Sequence, residues 1–348
     1  MIDGNPDAPY DSLLVVSFGG PEGPDEVLPF LENVLRGRNV PRERMLEVGE
    51  HYQAFGGKSP INDQNRALID ALTQELATHG PDLPIYWGNR NWHPLLTDTI
   101  EQMRKDGREK SLAFFTSAYS SYSGCRQYRE NIIAACSEIG PAAPVIHKLR
   151  AFYNHPGFIS PMIEHVREAL AKIPPNELER TKVFFTAHSI PNIMSDGCDY
   201  VVQLEEASRL VSEAIEIKDY ELVYQSRSGP PQQPWLEPDI CDAISAAHEK
   251  DKIEHVVIVP IGFISDHMEV LFDLDTEASE LCESLGVQYV RAKTVGTHPE
   301  FVSMIRKLIL ERTEGTARET LGCLGPRADF CPENCCPPPP ARPPARRP

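Results

Sequence analysis

The chain alternates short apolar runs with amphipathic stretches as far as about residue 313. Residues 12–17 (SLLVVS), 83–87, 112–116, 182–186, 222–225 and 255–260 read as strands, and 287–292 as a weaker one. Their apolar residues run continuously instead of alternating, as expected of strands covered on both faces in a parallel sheet. Between them, residues 65–78, 94–106, 158–173, 201–217 and 238–250 carry apolar side chains at helical spacing, and a last amphipathic helix is expected over 299–313. Strand–helix alternation of this kind predicts an α/β fold of parallel sheets flanked by helices.

The two halves share an outline. Each opens with a strand that ends in a Ser- and Pro-containing turn, Ser17 to Pro21 and then Ala187 to Pro191. Each has a later strand ending in a Ser-containing loop, Ser117 to Ser120 and then Gly262 to Ser265. The expected organisation is two similar doubly wound domains over residues 10–150 and 151–313, then a Cys-rich extension over 314–336 and a disordered Pro/Arg tail over 337–348. Ligands of such sheets bind beyond the carboxyl ends of the strands, so the four turns should face one cleft.

Composition narrows the functional classes. A length of 348 residues suits about two domains. The net charge of 34 − 51 = −17 disfavours nonspecific binding to nucleic acid or anionic membrane. The start, MIDGNPDAPYDS, has no signal-peptide pattern, and the longest apolar stretch, 256–264, is too short to span a bilayer. A cytoplasmic location is expected, in which the 9 Cys stay reduced. Four of them, Cys323, Cys331, Cys335 and Cys336, crowd the extension, and a cytosolic Cys cluster reads as metal binding.

Four segments carry candidate chemistry. In 261–278 (IGFISDHMEVLFDLDTEA), Glu269, Asp273 and Glu277 recur every fourth residue just past a strand end. On a helix that spacing makes a ladder of carboxylates for a cation, with a solvated acidic face as the competing reading. Asp266 and His267 are expected to cap and orient the turn. In KVFFTAHSIP, His188 follows an apolar strand at the mouth of the same cleft. Imidazole beside carboxylate suits Fe(II) or another borderline ion, and imidazole also accepts protons near neutral pH. The loop AYSSYSGCRQY, 118–128, offers Tyr and Ser to the flank of a large planar ligand. Residues 35–61 gather Arg36, Arg38, Arg42, Arg44 and Lys58, which could bind carboxylates of an anionic ligand. No nucleotide-binding glycine motif occurs.

Taken in order, SFGGPEGPDEV, FGGKSPIN, FTAHSIP, YQSRSGPPQQPWLEP and GFISDHMEVLFDLD resemble ferrochelatase, over residues 10 to 313. The resemblance implies two Rossmann-like domains around a porphyrin cleft, of the class II chelatase kind, and insertion of Fe(II) into the macrocycle. It implies His188 and Glu269 as the metal-site pair and catalytic residues, with Asp273 and Glu277 along the metal's path. Ser59 and Tyr128 match positions that contact the porphyrin or its propionates, as does Arg36. Phe18 stands where some bacterial relatives carry a Tyr that ligates iron. The style of the segments with the Cys-rich tail resembles the actinobacterial type, which implies coproporphyrin III as substrate and coprohaem III as product. Protoporphyrin IX, a related cobalt chelatase and a non-catalytic tetrapyrrole or metal carrier are the alternatives. Because haem and coprohaem are reactive, a transient hand-over of product to a downstream haem-pathway enzyme is expected, and so is a monomer.

Some members of that family hold a [2Fe–2S] cluster with three tail Cys and one from the body. The tail pattern is C-x7-C-x3-C-C. Adjacent side chains are expected to diverge, which leaves Cys323, Cys331 and Cys336 as ligands, with Cys335 as the alternative to Cys336. Cys198, in the polar loop SDGCDY, is the expected fourth ligand and Cys125 the alternative. Zinc is the rival metal, and Cys136, Cys241 and Cys282 read as ordinary buried residues.

Overall fold

The structure is a computed structural model that describes residues 9–37, 40–229 and 232–339. The described residues form eight strands: β1 Ser12–Ser17, β2 Ile85–Asn89, β3 Lys110–Phe115, β4 Val145–Lys148, β5 Thr181–His188, β6 Tyr220–Gln225, β7 His255–Val259 and β8 Gln288–Arg291. The helices are α1 Val27–Val34, α2 Arg42–Ala54, α3 Ile61–His79, α4 Leu96–Lys105, α5 Gln127–Ile139, α6 Pro156–Leu170, α7 Asn192–Ser195, α8 Tyr200–Ala214, α9 Ile240–Asp251, α10 Ser279–Leu285 and α11 Pro299–Thr313. All seven expected strands are present. The eighth, β4, is four half-buried residues, VIHK, at a sheet edge, with no apolar run to reveal it. Helices α1, α2 and α7 were also not anticipated.

The strands form two parallel sheets of the same order, β2-β1-β3-β4 and β6-β5-β7-β8. In each, the second strand lies on one side of the first, and the third and fourth lie on the other. The switch points lie between β1 and β3 and between β5 and β7, where crossover helices leave in opposite directions and ligands bind. Apolar side chains of β1 and β5 are buried on both faces, which explains their unbroken hydrophobic runs.

A shared layer joins the sheets. Helices α6 and α11 pack on each other, and α11 also packs on α3. Phe158, Met162, Phe301 and Ile305 extend one buried cluster from Leu13 and Phe114 of the first sheet to Phe185 and Val257 of the second. Separate clusters close the outer faces, with α4 and α5 on one sheet and α9 with α10 on the other. Among the described residues, no helix is long and apolar enough to cross a membrane.

After α11 the chain turns back along the body without regular structure. The buried Arg150 guanidinium makes a two-point ion pair with Glu311 (2.7 and 2.8 Å) and donates to the Glu319 carbonyl (2.9 Å). Asn154 donates to the carbonyl of Gly325 (3.0 Å), and its own carbonyl accepts from the Leu321 amide (2.8 Å). Gly322, at φ 71°, holds a left-handed backbone that favours glycine, and a Cβ there would press on the Glu206 carboxylate. Arg327 pairs with Asp199 (2.7 Å) and Arg126 donates to the Cys335 carbonyl (3.3 Å). Residues 340–348, most of the expected Pro/Arg tail, lie outside the described residues.

Arg150→Ala should lower stability by about 3–5 kcal/mol, because it strands a buried Glu311 carboxylate. Urea unfolding measures the loss. The paired change Arg150→Met with Glu311→Leu should cost much less, and an equal cost would show that the pair's charge is not the cause.

Candidate functional site

His188 ends β5 and Gln225 ends β6, and the two are register partners. Gly262, just past β7, can approach within 2.7 Å of the Ala187 Cα, measured from where its missing Cβ would stand. That contact packs the turn after β7 tightly against the end of β5. The turn then delivers Glu269 to His188, with Nε2 to Oε1 at 3.5 Å. The two side chains remain 32% and 46% exposed, so a ligand can reach both. His267 lies on the other side of Glu269, its Nδ1 3.8 Å from Oε2. Asp266 is occupied as an anchor: its carboxylate takes Arg291 (3.0 Å) and Thr294 (3.2 Å), and its backbone exchanges two hydrogen bonds with the Gln64 side chain of α3 (both 2.8 Å).

The segment after Glu269 is not an α-helix. Val270–Ala278 forms a π-helix, with hydrogen bonds reaching five residues back, a rare form that recurs at functional sites. Asp273 and Glu277 lie on it beyond Glu269. Gln225 Nε2 donates to the Glu269 carbonyl (3.0 Å) and to Asp273 Oδ2 (3.3 Å), and the Ser226 hydroxyl donates to the same Oδ2.

Electrostatics separates these groups. Burial opposes charge on His188, but the Glu269 carboxylate, its hydrogen bond and the Ser189 carbonyl overcome that and raise the imidazole to about 9. Burial likewise opposes charge on Glu269, yet His188 holds it down at about 2. Burial and the Glu269 charge push Asp273 up to about 7, against the pull of its Ser226 and Gln225 hydrogen bonds. Burial and Asp239 raise Glu277. At neutral pH the site therefore holds an imidazolium–carboxylate pair beside a carboxyl poised to gain or lose a proton.

The other expected site residues are spread along the first half. Phe18, just past β1, is exposed on one side and packs edge-on against Phe30. Tyr128 is not in a loop. A π-turn over Tyr122–Arg126 leads into α5, and Tyr128 sits buried in its first turn, against Phe115 and under the Arg90 guanidinium (4.5 Å). Arg90 also lies over Phe18 (5.8 Å), a link that sequence reading did not anticipate. Ser59 is buried against Gly20, and Arg36 is exposed after α1. The two halves meet where Tyr119 donates to the Ile261 carbonyl (2.9 Å) and His51 stacks on Phe272 (3.7 Å between ring centres).

A sequence profile described as Ferrochelatase matches residues 10–313. The chain belongs to the ferrochelatase family. It is 60% identical to a ferrochelatase of Rhodopirellula baltica, with 97% of this chain and 96% of that protein covered. It is 50% identical to a coproporphyrin III ferrochelatase of Streptomyces coelicolor, with 95% and 94% covered. Among solved structures it resembles a sirohydrochlorin chelatase of Bacillus subtilis subspecies spizizenii in complex with cobalt, at a TM-score of 0.50 and 13% identity, with 88% of this chain and 96% of that one covered. That likeness concerns the fold alone.

In this ferrochelatase-family chain, the expected Cys331 and Cys336 and the alternative Cys335 come together against the body. Cys125, Cys331, Cys335 and Cys336 line one pocket together with Arg126, Arg129 and Lys148. Cys336 adopts φ 49°, so the adjacent side chains do not diverge, and the Cys335 and Cys336 Sγ atoms lie 3.4 Å apart. Hydrogen bonding from Cys125, aided by Lys148, lowers Cys331 and favours its thiolate. Cys323 instead lies exposed earlier in the extension, and Cys198 donates to the Met194 carbonyl (3.2 Å) of its own turn. Two body cysteines therefore stand near the tail thiols: Cys125 in the pocket itself, presented by the Tyr122–Arg126 turn, and Cys198, which feels Cys335 and Cys336. Among the described residues, no group of three or more His, Cys, Asp or Glu is already spaced to hold a metal ion.

Proposed function

We propose that this protein inserts Fe(II) into a porphyrin in haem biosynthesis, as a porphyrin metal chelatase of the lyase class, and that the macrocycle is coproporphyrin III. The observation that carries this reading is the His188–Glu269 contact at a parallel-sheet switch point, continued by the row of Asp273 and Glu277. The likeness to the coproporphyrin III ferrochelatases of Streptomyces supports the choice of macrocycle.

Insertion exchanges two pyrrole protons for one divalent cation. Glu269, whose carboxyl His188 holds below the usual range, is a weak proton acceptor and a good cation holder. His188 is the stronger base, and Nε2 is the atom that faces Glu269. In the metal-free protein that nitrogen already carries a proton, so an arriving cation must displace it. Asp273 is close enough to neutral to take such a proton outward. A site that holds a bent macrocycle better than a flat one would expose the pyrrole nitrogens and lower the barrier.

We also propose a [2Fe–2S] cluster held by Cys125, Cys331, Cys335 and Cys336. Such a cluster supplies a one-electron acceptor that thiolates retain.

The test is anaerobic mixing of the protein with Fe(II) and either coproporphyrin III or protoporphyrin IX, followed by metalloporphyrin absorbance. Coproporphyrin III should react at least about tenfold faster per unit concentration, a difference of about 1.4 kcal/mol in transition-state binding. Preference for protoporphyrin IX would replace the substrate reading. Binding of a porphyrin without insertion would identify a carrier.

A further inference from the structure

The motif YQSRSGPPQQPWLEP carries part of the family resemblance, yet sequence reading gives its first residues no role. Gln225 is 1% exposed and stands beside His188 at the strand ends. Its one amide nitrogen reaches both the Glu269 carbonyl and Asp273 Oδ2. Ser226 follows at φ 62°, a left-handed conformation that non-glycine residues seldom hold without a compensating contact. There its hydroxyl meets the same Asp273 oxygen.

We propose that Gln225 and Ser226 are positioning residues that clamp Asp273 as a station for the incoming cation. Both hydrogen bonds fall on Oδ2, which leaves Oδ1 and its lone pairs to the metal. The clamp also answers a local conflict. Asp273 stands near two other carboxylates, Glu269 and Glu277, whose charge repels it. A free side chain would swing away from them and break the row. Gln225 further ties the first turn of the π-helix to the strand that carries His188's partner position, so the two ends of the route move together. This inference rests on reading Asp273 as part of the cation's route. It predicts a defect in metal handling and none in macrocycle binding.

The test compares wild type with Ser226→Ala, Ser226→Asn and Gln225→Leu. KM is measured for Fe(II) at saturating coproporphyrin III and for the porphyrin at saturating Fe(II), and Co(II) binding is measured by calorimetry without porphyrin. Ser226→Ala should raise the KM for Fe(II) and the Kd for Co(II) about tenfold, with kcat within about twofold and the porphyrin KM unchanged. Gln225→Leu should act in the same direction. Ser226→Asn tolerates the left-handed backbone and keeps a donor, and should recover most of the loss. Unchanged metal constants in Ser226→Ala and Gln225→Leu would overturn the proposal. So would a fall in kcat and thermal stability together with a rise in both KM values, which marks a merely structural role. A wild type that inserts no iron would instead remove the functional reading, and the Co(II) titration would then decide the clamp alone.

Discussion

Glu269→Gln should cut iron insertion about 10²–10³-fold while leaving the fold intact, because an amide keeps the side chain's shape and loses the charge that holds the cation. His188→Ala should cost about 10²–10⁴-fold, the range for loss of a positioned proton acceptor. Metalloporphyrin formation measures both, with thermal unfolding as the control for folding. The pH dependence distinguishes their parts. His188 carries its proton up to about 9 in the metal-free protein, so proton and cation compete for it. The kcat/KM for Fe(II) should therefore rise with pH through neutrality, and more steeply below about 7, where Asp273 also takes up a proton. In His188→Ala the steeper limb should remain and the limb toward 9 should vanish. Near-normal turnover in either variant, or a flat pH profile in the wild type, would sink the assignment.

Cys125→Ser should yield protein that is nearly colourless and carries almost no iron, against about two iron atoms per chain in the wild type. Cys323→Ser should stay coloured. Absorbance and iron analysis after anaerobic purification decide between them. The contrast is informative because the sequence alone favours the opposite pair, with Cys323 a ligand and Cys125 only an alternative. A coloured Cys125→Ser protein and a bleached Cys323→Ser protein would restore that set. Iron-free wild type made with ample iron would defeat the cluster itself.

Much of the fold was legible because its signals are local. Continuous apolar runs in β1, β5 and β7 require burial on both faces, and that requirement alone calls for a parallel sheet with helices above and below. Strand β4 escaped because four half-buried residues at an edge carry no such run. Tyr128 was misplaced in a loop because Tyr, Ser and Gly dominate the segment, while Ile132, Ala135 and Cys136, which drive α5, lie beyond it.

By itself, the sequence determined the α/β class, the equivalence of the two halves and the residue types at the reactive strand ends. The order of chemistry along the chain is enough for these, since a strand end is a local event. Only the tertiary structure decided which groups meet. The contact of His188 with Glu269 spans about eighty residues, and its distance depends on how closely Gly262 packs on Ala187. The π-helix, which wound differently from the expected α-helix, depends in part on a Gln225 side chain that arrives from another strand. The thiol pocket depends on Arg150, Asn154 and Gly322 bringing the extension back to Cys125. Charge at the site follows the same rule. The Glu269 and Asp273 carboxyls differ little in free solution, and it is burial, neighbouring charge and donated hydrogen bonds that hold one at about 2 and the other at about 7.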